Sequence, residues 1–68
     1  MTEFGKRLKE LRREKGISQQ KLALEIVYSQ SVVCDWENNR SEPTASAIVK
    51  VADYFEVSAD YLLGRKEI

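Results

Sequence analysis

The stretch from Ser18 to Asn38, SQQKLALEIVYSQSVVCDWEN, constrains the fold more than any other part of the chain. It holds two short helical patterns, each opened by a serine and separated only by Val27 and Tyr28. Ser18 and Ser29 suit the N-cap position, where a hydroxyl accepts a bond from a free first-turn amide. Behind Ser18, the residues Leu22, Ala23 and Ile26 form an inward stripe, and small Ala23 lets another helix approach. Behind Ser29, Val33 and Trp36 share a face, with Val32 beside them. Helices this short are marginal in water, so the rest of the chain must hold the pair in place. Their tight turn calls for a residue at positive φ, for which glycine is the usual choice. Val27 stands there instead, and a β-branched residue is strained in that region. Either the turn is built differently or the strain is carried.

Opposite the apolar face of the second helix lie Gln30, Ser31, Cys34, Asp35 and, at its end, Asn38. Spacings of three and four make them one strip. A DNA major groove admits a helix with such a free face, and its N-terminal side chains read base edges. Gln19 and Gln20 open the preceding helix, where backbone amides and the helix dipole favour an anion. A DNA phosphate is one candidate for that anion, and plain hydration is the alternative.

A chain of 68 residues makes one domain, spanning 1–68, near the size where a single core just suffices. Its 43% hydrophobic and 32% charged content suits a water-soluble globular chain. No apolar run is long enough for a membrane span, and the charged N-terminus is not a signal peptide. One cysteine, Cys34, gives no internal disulfide and fits a reducing cytoplasm, bacterial or in a phage-infected host. With no histidine beside it, a zinc site or a Cys–His nucleophile is excluded, and no cofactor or small-molecule ligand is indicated. The net charge of zero argues against a simple basic DNA-binding patch. The charge is uneven, however. Residues 1–21 hold seven basic side chains against three acidic ones, or +4, and residues 22–68 hold four against eight, or −4.

In chain order, Thr2 is placed to cap a first helix over residues 3–15, with Phe4, Leu8 and Leu11 as its stripe. Most of its Lys/Arg run reads as a solvated face. Arg12 differs, because it borders the buried stripe and calls for an acidic partner. Gly16 suits the left-handed residue that stops a helix. The two central helices cover 19–26 and 30–37. A polar loop, Asn38 to Pro43, leads to Thr44 and a helix over 45–55 carrying Ile48, Val51, Ala52 and Phe55. Ser58 caps a short helix over 59–63, which Gly64 ends. Ile17, Val57 and Leu62 complete the expected core, and no strand-like alternation occurs. The fold class is all-α.

Three segments carry a resemblance: RLKELRREKGISQQKLA at 7–23, SQSVVCDWENNRSEPT at 29–44 and IVKVADYFEVSADYLLG at 48–64. In this order and spacing they resemble the Cro/C1-type helix-turn-helix family of phage and bacterial repressors, also called xenobiotic-response-element-like. The resemblance implies a five-helix, lambda-repressor-like domain that binds double-stranded DNA, usually as a homodimer on a palindromic operator. It implies base reading by Gln30, Ser31, Cys34 and Asp35, and phosphate contact by Gln19, Ser29, Asn38 and Arg40. It also implies a buried ion pair between Arg12 and Glu37. Val27, Asn39 and Glu56 stand where the family usually has glycine, which concerns turn geometry and not the reading face. Asp35 can accept from a cytosine amino group or repel wrong sites. Trp36 reads as core rather than a base-stacking ring. A redox role for Cys34 is the less common fate of a lone surface thiol. Tyr61 and Leu63 are candidates for a dimer surface, against simple intramolecular packing. The expected function is transcriptional regulation, by repression. The other reading is a protein-interaction module, antitoxin-like, in which DNA binding is secondary. No catalytic constellation supports an enzyme.

Overall fold

Four hydroxyl caps and five left-handed residues bound the helices among the described residues. A computed structural model describes residues 3–66, and all regular structure among them is helical: α1 (Phe4–Lys15), α2 (Gln19–Ile26), α3 (Gln30–Glu37), α4 (Ala45–Phe55) and α5 (Ala59–Leu62). The hydroxyls of Ser18, Ser29, Thr44 and Ser58 accept from the amides of Lys21, Val32, Ala47 and Tyr61, opening α2 to α5. Each such bond satisfies one of the orphan amides of a first turn. α1 opens on Glu3, which makes no side-chain cap bond. Thr2 lies outside the described residues, and the first helix starts one residue later than the expected 3–15.

The closing ends are alike. Gly16, Val27, Asn39, Glu56 and Gly64 all have positive φ, between 57° and 80°. After each, the next amide reaches back to a carbonyl of the last turn: Ile17 to Arg12, Tyr28 to Ala23, Arg40 to Asp35, Val57 to Ala52 and Arg65 to Asp60, at 2.8–3.2 Å. This is the Schellman closure, which commonly adds an apolar contact from the residue that follows the left-handed one. Ile17, Tyr28 and Val57 fill that role and pack against the core. α5 therefore ends at Leu62, with Leu63 as its cap, not within the helix as expected.

Val27 carries the strain foreseen for it, at φ 63° and ψ 53°. Two contacts hold its turn. The Tyr28 ring meets the Trp36 ring edge-on at 5.2 Å. Lys50 Nζ, from α4, donates to the Ile26 carbonyl at 3.3 Å, where the negative end of the α2 dipole attracts it.

The core is built from Phe4, Leu8, Leu22, Ala23, Ile26, Val33, Trp36, Ala47, Val51, Ala52 and Leu62. Of the expected core, Leu11, Ile17, Ile48, Phe55 and Val57 are only partly buried and pack on its flank. Ala47 is fully buried and falls outside the expected stripe of α4. The Phe4 and Trp36 rings meet edge-on at 5.7 Å, where α1 crosses α3. Gly5 makes that crossing close. A Cβ there would overlap the Trp36 carbonyl oxygen and crowd Asn39 Oδ1 at 3.2 Å.

Two stability changes of opposite sign follow. Val27→Gly removes a left-handed conformation that costs an L-residue roughly 1–2 kcal/mol. Val27 is 78% exposed, so little burial is lost. Glycine's added unfolded-state freedom takes back about 0.5–1 kcal/mol. The urea midpoint should rise by the equivalent of up to about 1 kcal/mol, at unchanged slope. Gly5→Ala forces α1 away from α3 and should lower stability by about 1–3 kcal/mol in the same melt. An unchanged midpoint would mean that the crossing yields freely.

Candidate nucleic-acid interface

α3 is held from behind. Val33 and Trp36 are buried, Val32 is half-buried, and α3 packs on both α2 and α1. Its last residue, Glu37, is the one charged side chain in the buried set, with 1% side-chain exposure. Three donors meet it. Arg12 Nε donates to Oε2 at 2.7 Å, Arg12 Nη2 to Oε1 at 3.1 Å, and Gln19 Nε2 to Oε1 at 3.0 Å. Arg12 Nη1 donates to the Ile17 carbonyl at 2.9 Å. The Glu37 carboxylate thus ties α1, the start of α2 and the end of α3, and Arg12 in addition holds the α1–α2 link. The fork geometry matches a guanidinium to a carboxylate. The bond to Glu37 also binds the Arg12 proton more tightly than usual, against the opposing effect of burial.

The outer face of α3 stays open. Gln30 and Ser31 are exposed, and Cys34 and Asp35 are half-exposed. Their side chains are not equally free. Ser29 Oγ accepts the Val32 amide and lies 3.2 Å from Ser31 Oγ. Asn38 Nδ2 donates to the Cys34 carbonyl at 2.8 Å and to Cys34 Sγ at 3.4 Å. Arg40 Nη1 sits 3.4 Å from Asp35 Oδ1, brought there by the backbone closure at Asn39. Among the described residues Gln30 alone of this strip has no side-chain partner.

The structure brings Gln19, at the start of α2, to Glu37 at the C-terminal end of α3, next to Asn38 and Arg40 in the chain, while Ser29 and Gln30 stand at the opposite end of α3. Two of the expected phosphate ligands already have a partner within the fold: the half-buried Gln19 amide bonds Glu37, and the exposed Asn38 amide bonds the Cys34 backbone. Tyr61 is half-buried with the Arg7 guanidinium 4.5 Å above its ring, and Arg7 is further held by Glu3 at 3.3 Å. That contact joins α5 to α1. Leu63 is half-buried. Sequence reasoning missed the Gln19–Glu37 bond and the close approach at Gly5. Neither has a local pattern to reveal it, since each joins residues distant in sequence.

Two short capped helices at a tight turn, the second with an open polar face, define a helix-turn-helix inside a five-helix fold. The helix-turn-helix family model matches residues 8–62, and the chain belongs to this family, in its Cro/C1-type branch. It is 33% identical over 65 residues to the HTH-type transcriptional regulator ImmR of Bacillus subtilis, covering 96% of this chain and 51% of that protein. The chain thus spans about half the length of that curated relative. The N-terminal DNA binding domain of SinR from Bacillus subtilis matches at TM-score 0.82 and 33% identity, over 88% of each chain. The P22 c2 repressor protein, solved with a synthetic operator, matches in fold at TM-score 0.87 and 24% identity, over 97% of this chain and 100% of that one.

Arg12→Ala strips the buried Glu37 of its counter-charge. Removing one partner of such a pair costs about 3–5 kcal/mol. A urea melt should register a loss in that range. A loss below about 1 kcal/mol would show that the pair does not tie α1 to α3 energetically.

Proposed function

We propose that this chain is the sequence-specific DNA-binding domain of a transcriptional regulator, a single domain over residues 1–68 that acts in the cytoplasm as a homodimer on a palindromic operator and represses transcription there. The observation that carries this reading is the state of Gln30. It stands exposed at the N-terminal end of α3, with neither donor nor acceptor engaged among the described residues, on a helix whose other face is fixed by core and by Glu37. A glutamine presented in this way can bond an adenine edge bidentately, worth roughly 1–3 kcal/mol of discrimination.

The neighbouring roles differ in kind. Ser31 and Cys34 flank Gln30 as shorter base contacts. Asp35 is neutralised in part by Arg40, so it repels an approaching phosphate less than a bare carboxylate would. Arg40 serves as a phosphate ligand and Asp35 as a discriminator against wrong bases. Ser29, Gln19 and Asn38 belong to the phosphate-facing rim. Two such α3 helices, one from each protomer, would enter successive major grooves about 34 Å apart. Phosphate contacts then position the protein, and the α3 strip specifies the site. Names among the relatives support regulation, and the operator-bound P22 c2 repressor supports repression by occupancy.

Selection from a random duplex pool, followed by salt titration, tests this reading. A palindrome should emerge, with affinity falling steeply as salt rises. Gln30→Ala should weaken the selected site by about 1–3 kcal/mol and leave binding to random duplex nearly unchanged. If no sequence enriches and binding is weak at every salt, α3 is a surface for a protein partner instead.

A further inference from the structure

We infer that Glu37, itself shut away from solvent, is a positioning residue for the phosphate contact of Gln19; this rests on the DNA-binding reading above. Gln19 is the first residue of α2 and is half-buried. Its Nε2 donates to Glu37 Oε1 at 3.0 Å. An ionised carboxylate only accepts, so the amide is oriented by chemistry: the NH2 group faces Glu37 and the carbonyl oxygen faces away. One N–H of the same nitrogen remains. A phosphate also only accepts, so that second N–H is the group of Gln19 able to meet it.

Glu37 fixes this donor in advance. A glutamine at an exposed helix start has several rotamers, and ordering it on binding opposes the contact. Here a charge-assisted bond has already selected one. The buried carboxylate does not repel the phosphate in turn, because the Arg12 guanidinium meets it at 2.7 and 3.1 Å. The backbone agrees. Ser18 takes the Lys21 amide with its hydroxyl and the Leu22 amide with its carbonyl. The first-turn amides of Gln19 and Gln20 have no place in the helix ladder. These amides and the Gln19 side chain belong to the same first turn of α2. Glu37 touches no DNA in this arrangement and acts through Gln19.

A double-mutant cycle with anisotropy on a random-sequence duplex at low salt separates this role from a merely structural one. Glu37→Gln keeps shape and removes the charge, and should weaken binding roughly tenfold. Gln19→Ala should weaken it by a similar factor. In the Gln19→Ala background, Glu37→Gln should change affinity less than twofold, roughly, since the group it acts through is gone. The same factor in both backgrounds would overturn the inference while leaving DNA binding intact. Wild-type protein that binds no duplex at any salt would overturn both. Should Glu37→Gln fail to fold, the side-chain amide of Gln19 in the wild type decides by NMR. One of its protons should differ from those of Gln20 and hold its shift as duplex is added, while its geminal partner moves. Two protons indistinguishable from those of Gln20 would overturn the inference.

Discussion

Glu37 holds the pieces of this small fold in register. A carboxylate removed from water costs several kcal/mol unless it is paired and hydrogen-bonded. Here it receives three bonds, from α1 and from the start of α2. No buried side-chain polar atom among the described residues is left without a partner. The consequence is positional. α3 is too short to set its own direction, and its C-terminal residue is anchored to two other helices. The eight-residue α3 is therefore placed by its bonds to α1 and α2, and its outer face is set by them.

Around that anchor, the helix ends set the geometry. The same closure recurs at Gly16, Val27, Asn39, Glu56 and Gly64, yet glycine occupies only two of these positions. Asparagine tolerates the left-handed region through its short polar side chain. Valine and glutamate do not, and their strain persists because the closures are held from outside. Val57 packs beneath the Glu56 turn, and Tyr28, Trp36 and Lys50 hold the Val27 turn. The strain sits in the turns that join the helices.

The electrostatics of the open face are finer than a net charge of zero suggests. Asp35 on α3 is matched by Arg40, which the Asn39 closure returns to it. Arg12 is committed to Glu37 and Arg7 to Tyr61 and Glu3. Cations counted along α1 are thus partly spent within the fold. The Gln30 side chain is left without a partner among the described residues, and the Gln19 amide is held by Glu37.

The sequence by itself determined the helices, because caps, stripes and stop residues are local chemistry. Ser18, Ser29, Thr44 and Ser58 open helices where a hydroxyl precedes an apolar stripe, and the Val27 turn was legible as a strained joint from its residue type. The outer strip of α3 followed from spacing alone. Arg12 could be singled out from its place beside Leu8 and Leu11, but the residues gave it no partner; Glu37 came from the family resemblance. What only the tertiary structure decided are pairings between distant residues: Gln19 with Glu37, Gly5 against the Trp36 carbonyl, Arg7 over Tyr61, and Lys50 on Ile26. Each depends on how two helices cross. That angle is the outcome of packing the whole core, and no local pattern in the chain encodes it.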